Sequence, residues 1–156
     1  MKKIIFISFL FSGCFLYTAT KYQPMNWKGG YEETQLDEKT FRVYFKGNGY
    51  LSTEKASEMC LLRCSEICLE QGYDYFIIID EKERITKNYG KTSSTTRYKY
   101  NDYDGSVSSN TYGGNSYVIS KPSLTNTMVL VNEKGEDNIT YNANFLFNSL
   151  SRKYIK

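Results

Sequence analysis

Phe41, Val43 and Phe45 alternate with Arg42, Tyr44 and Lys46, and that period of two commits this segment to a strand with one buried and one solvated face. Such a face must be covered by another layer. The cover follows at once in the chain. Ser52 reads as an N-cap and Glu54 as a first-turn acid favoured by the helix dipole. The helix is expected from Thr53 to about Gln71, with Gly72 as its stop. On it Ala56, Met59, Cys60, Cys64, Ile67 and Cys68 share one stripe. A partner strand over Tyr31 to Leu36 precedes, across a polar turn at Asp37-Glu38-Lys39. Tyr75 to Ile79 is continuously apolar, as suits a central strand. Thr125 to Val131 reads as a fourth strand, and Thr140 as the cap of a last helix carrying Ala143, Leu146, Phe147, Leu150 and Tyr154 on one side. The expectation is a single α+β domain over residues 30–156 in ββαββα order. Its four-stranded antiparallel or mixed sheet carries both helices on one face. Residues 87–120 stand apart: Ser, Thr, Asn, Gly and Tyr with few aliphatics, expected as a flexible insertion.

The N-terminus has a different composition. Lys2 and Lys3 precede an apolar run from Ile4 to Phe11 that is too short to cross a membrane, which takes roughly 20 residues. Charged start, short apolar run and small residues are the marks of an export signal. Phe11-Ser12-Gly13-Cys14 resembles the lipobox of bacterial lipoproteins, with Phe11 where Leu is usual. The resemblance implies that residues 1–13 are removed and that Cys14 carries diacylglycerol and an N-acyl chain such as palmitate. Membrane attachment in the cell envelope follows from it, with Phe15 rather than Asp after the cysteine pointing to the outer membrane, facing the periplasm or the surface, of a Gram-negative cell. A soluble secreted chain cut near Ala19 is the alternative. Residues 14–29 would then form a tether, with a flexible-coil reach of roughly 20 Å.

The chain has 20 basic and 17 acidic side chains, and with Lys2 and Lys3 in the leader the remainder is nearly neutral. No basic run suggests nucleic acid as a partner. Histidine is absent. That excludes Ser-His and Cys-His nucleophile pairs, His-ligated zinc and imidazole acid–base chemistry.

Three stretches together resemble one another's counterparts in a family of small proteobacterial envelope lipoproteins of unknown function. They are Gly30 to Leu36, Phe41 to Tyr50 ending in Gly47-Asn48-Gly49-Tyr50, and Gly72 to Phe76 after a Leu61-Leu62-Arg63 helix core. The likeness is weaker from 122 to 155, around Tyr141-Asn142-Ala143. It implies no catalytic residues and no cofactor. The family usually has small residues where this chain has Cys60, Cys64 and Cys68.

Several motifs have a functional and a plainer reading. Gly47 to Ser52 mimics a dinucleotide-binding turn, or an anion site at a helix start, but its strand belongs to a hairpin, so a simple turn is preferred. Gly90-Lys91-Thr92 lacks the first glycine of a P-loop, because Ile85 stands there. Cys60, Cys64 and Cys68 are spaced for one helix stripe, not for a metal. Their Cβ atoms, about 5–6 Å apart, exceed the roughly 3.8 Å of a disulfide, so they read as core thiols. Glu32-Glu33, Asp80-Glu81-Glu83 and Asp102-Asp104 invite the alternative, an envelope glycan-acting enzyme or small-ligand binder using carboxylates or Tyr, of which the enzyme needs one raised carboxyl pKa. Tyr98, Tyr100, Tyr103, Tyr112 and Tyr117, set among Ser, Asn and Gly, have the composition of a binding loop. The expected occupation is therefore a non-enzymatic anchored module that contacts an envelope protein or cell-wall component, with no metal.

Overall fold

The computed structural model describes residues 18–135 and 140–155. Strands β1 (Gly30–Gln35) and β2 (Thr40–Lys46) form a hairpin whose turn is closed by Asp37. Its Oδ1 accepts the Lys39 and Thr40 N–H groups, each at 2.8 Å. Helix α1 (Thr53–Glu70) follows. Ser52 caps its start through the Lys55 N–H at 3.4 Å. Its end is a Schellman turn: Gly72 takes φ 78°, Gly72 N–H reaches the Leu69 carbonyl and Tyr73 N–H the Cys68 carbonyl, both at 3.0 Å.

The remaining strands are β3 (Tyr75–Lys91), β4 (Ser94–Tyr100), β5 (Val107–Gly113), β6 (Ser116–Val131) and β7 (Thr140–Asn142), before helix α2 (Ala143–Tyr154). The main sheet is five-stranded and wholly antiparallel, in the order β1-β2-β6-β3-β7. The α+β class and the two helices match the sequence reading, while the ββαββα order and four-stranded sheet do not. A short β7 was hidden because only three residues pair, opposite Tyr75–Ile77. Asn142, not Thr140, caps α2, its Oδ1 taking the Phe145 N–H at 2.8 Å.

Phe41, Val43 and Phe45 from β2 meet Leu124, Met128 and Leu130 from β6, Phe76 from β3 and the cysteine stripe of α1 in one buried core. Helix α1 lies across β2 and β6, and α2 packs chiefly on α1 rather than directly on the sheet. Among the described residues the opposite sheet face carries no helix.

The main departure is at 87–120. These residues are not an irregular loop but the far part of a β-ribbon. β3 and β6 outrun β2, which pairs with β6 only as far as Ser123, and continue as a two-stranded ribbon from Ile85 opposite Pro122 to Lys91 opposite Ser116. After a joint at Thr92-Ser93 and Gly114-Asn115 the hairpin continues as β4 and β5, from Ser94 opposite Gly113 to Tyr100 opposite Val107. Gly113 and Gly114 both take positive φ at that joint, 86° and 78°. At about 3.3 Å per residue, 85–100 makes about 50 Å of strand. The ribbon lacks aliphatics because both its faces meet solvent, so the alternation that betrays a half-buried strand never develops.

Candidate docking surfaces

Residues 18–29, expected as part of a free tether, are folded onto the domain as a strap. Thr20 is buried; its Oγ1 donates to the Lys28 carbonyl and accepts the Asn48 N–H, both at 2.9 Å. Asn48 completes the buckle: Oδ1 accepts from the N–H groups of Thr20 and Tyr50, and Nδ2 donates to the Thr18 carbonyl at 2.8 Å. Further along, Tyr22 donates to Glu66 Oε2 at 2.5 Å, and its ring packs 4.8 Å from that of Tyr31. Burial first, and then the Glu66 bond, push the Tyr22 phenol well above its ordinary value. Arg63 braces this corner, binding Glu33, Glu66 and Glu70 at 2.9, 2.8 and 3.0 Å beneath the Tyr31 ring. The Gly47-Asn48-Gly49-Tyr50 turn is thus a clasp, and its glycines admit close neighbours: a Cβ on Gly49 would collide with Ile119.

The strap delivers Thr18 to the end of β2. Cys14, the expected lipid site, lies outside the described residues, separated from Thr18 by residues 15–17 alone. At that same end the exposed Trp27, with Lys28 Nζ 4.8 Å over its ring, stands two residues before Gly29, where an added Cβ would fall 2.2 Å from the Lys46 carbonyl oxygen.

Opposed residues of an antiparallel pair share a face. On the helix-free face the pairing therefore aligns Lys46, Ser123 and Arg84 in one row, Tyr44, Thr125 and Lys82 in the next. Lys121, opposite Thr86, lies one row outward. A cavity of about 250 Å³ opens here, lined by Tyr44, Lys46, Thr86, Asn88, Lys121 and Ser123 among others. Among the described residues Lys46, Arg84 and Lys121 take part in no ion pair, whereas Lys82 is held by Asp80 at 2.8 Å.

The five tyrosines do not converge. Tyr98 and Tyr100 share a face of the distal ribbon with Val107, whereas Tyr112, opposite Thr95, shares the other with Arg97 and Lys99. Tyr103 stands in the tip turn, 99 % exposed. Tyr117 is nearer the base, its ring laid over Gly90. They are strung along an arm rather than gathered into a patch.

The other candidates are accounted for structurally. Alternation sends Glu32 to the open face and Glu33 to Arg63, so that pair is split. Asp104 accepts from Ser106, side chain then backbone, which holds its carboxyl below the usual range; an acid catalyst needs the reverse. The helix start is filled by Glu54, itself lowered by its own backbone N–H and by Ser52. Cys60, Cys64 and Cys68 are buried free thiols. Cys64 is raised by its bond with Cys60 and then by burial; Cys68, which donates to the Tyr73 and Tyr75 carbonyls, is pushed up to about 12 by burial and then Asp74. No three His, Cys, Asp or Glu side chains are grouped for a metal among the described residues, and no described helix is long and apolar enough to cross a membrane.

Sequence reasoning missed Thr20, Asn48, Trp27, Lys46 and Lys121. An Asn between two glycines was the one available hint, since Asn48 has polar groups enough to pin a second segment. No family model matches the chain, and no curated protein and no solved structure is similar to it.

Proposed function

We propose that this chain is a non-enzymatic, lipid-anchored protein of the bacterial cell envelope, held through Cys14 and presenting its β-ribbon to an envelope protein or cell-wall component. The ribbon carries this reading. A two-stranded hairpin is marginal by itself in water, and a long unpaired edge invites pairing with another chain. About 50 Å of it, with Tyr89, Tyr98, Tyr100, Tyr103, Tyr112 and Tyr117 exposed, extends past the strands that cover the core. Tyr supplies large contact area at low entropic cost, which is why binding surfaces favour it. The candidate carboxylates are scattered, with Glu33 and Asp80 held in ion pairs, which supports a non-enzymatic role. The N-terminal signal pattern supports the outer membrane as the site of anchoring.

The test is crosslinking in cells followed by capture of the full chain. Replacing Tyr98, Tyr100 and Tyr103 together with Ser should abolish recovery of the crosslinked partner while leaving Tm unchanged. Equal recovery from both chains contradicts the reading.

A further inference from the structure

We propose that the end of the domain bearing Trp27, Lys28, Lys46 and Lys121 rests on anionic phospholipid headgroups of the leaflet that holds the chain. This inference rests on the Cys14 anchor proposed above and adds an orientation to it.

The position of Thr18 limits how far Cys14 can lie from this end of the domain. Thr18 is fixed by Asn48, which follows Lys46 and Gly47 directly, and Gly47 N–H is bound to the Pro122 carbonyl, next to Lys121, at 2.8 Å. Four Cα steps join Thr18 to Cys14, at most about 14 Å. An acyl chain on Cys14 therefore enters its membrane within that distance of the clasp, and the clasp sits beside these lysines. The strap shortens the link: a free 14–29 tether would let the domain face any direction, and a strapped one does not.

Charge complementarity favours the same end. Lys46 and Arg84 flank Ser123 across strands about 4.8 Å apart, Lys121 lies one row outward, and Lys28 stands in the adjoining turn. The acids on this face are Asp80, engaged by Lys82, and Glu32, one strand removed opposite Tyr44. Hydroxyls of Tyr44 and Thr86 and the Asn88 amide line the cavity between the lysines, giving donors for phosphate oxygens, while the Ser123 hydroxyl donates to the Arg84 carbonyl at 3.2 Å. Trp27, 84 % exposed, is the only tryptophan of the chain. Such a ring beside lysines is the composition of a membrane–water interface. Each Lys or Arg near an anionic surface strengthens binding about fivefold.

The experiment uses the full acylated chain, recovered from cell membranes and reconstituted into vesicles of phosphatidylcholine alone or with phosphatidylglycerol added. Lysine acetylation rates and Trp27 emission are read. In the anionic vesicles Lys46 and Lys121 should be acetylated about fivefold more slowly, with recovery in high salt, and Trp27 emission should shift to the blue. Lys39, at the other end of β2, should be unchanged. Equal rates at Lys46 and Lys121 in both vesicles overturn the contact. So does equal protection in neutral vesicles given glycerol 3-phosphate, which would assign the cavity to a small phosphate ester. The two readings fail separately: an unmodified Cys14 peptide mass overturns the anchor, whereas unprotected lysines on an acylated chain overturn the headgroup contact alone.

Discussion

Gly72 isolates a single physical term. Its φ of 78° is in the left-handed region, and an added Cβ would meet nothing within 4 Å. Gly72→Ala should therefore cost only the backbone preference, about 1–2 kcal/mol, read as a lower denaturation midpoint with unchanged slope. A loss well above that would mean the Schellman turn is tied to the core. The thiols give a second residue-scale expectation. With Cys64 and Cys68 raised and all three buried, Cys60, Cys64 and Cys68 should resist maleimide in the folded chain and react on denaturation. Rapid labelling of the native protein would contradict their place in the core. These residues were legible because helix spacing alone puts i, i+4 and i+8 on one stripe. Thr20 and Asn48 were not, because their bonds join positions 28 apart in the chain and local pattern carries no such pairing.

At the scale of elements, the strap and α2 are each held by apolar packing with a few polar contacts added. Thr20→Val keeps the shape but removes both 2.9 Å hydrogen bonds of the hydroxyl. It should cost about 1–2 kcal/mol and expose residues 18–29 to limited proteolysis. Unaltered proteolysis would show that Tyr22 and Arg63 suffice to hold the strap. α2 is tied to α1 by Glu58, which takes Lys153 at 2.5 Å and also Tyr154. Lys153 first and then Tyr154 lower the Glu58 carboxyl below its ordinary 4.5. A depressed acid stabilises the fold above its unfolded value and loses that contribution as pH falls through the folded one. The Tm advantage of the natural chain over Glu58→Gln, present at neutral pH, should therefore shrink as pH drops below 4.5. A constant gap would remove the ion pair from the account. The core strands and both helices were readable because each buries one side. The ribbon was not, since Thr95, Thr96, Tyr98 and Tyr100 across from Val107, Thr111 and Tyr112 show only β-propensity without a buried face.

For the molecule as a whole, three devices share one end: the clasped strap, the basic open face and the root of the ribbon. The clasp fixes Thr18 on the domain, so an anchor at Cys14 would set the domain's attitude as well as its address. On the proposed anchoring, the ribbon would leave from near the membrane and carry its tyrosines outward from there. Each of these consequences depends on the lipid. The most direct measurement is metabolic labelling with palmitate in the native cell, comparing the natural chain with Cys14→Ser. Label should enter the natural chain and be absent from Cys14→Ser, with the natural chain in the membrane fraction. Equal labelling of the two, or none in either, would contradict the account at its root.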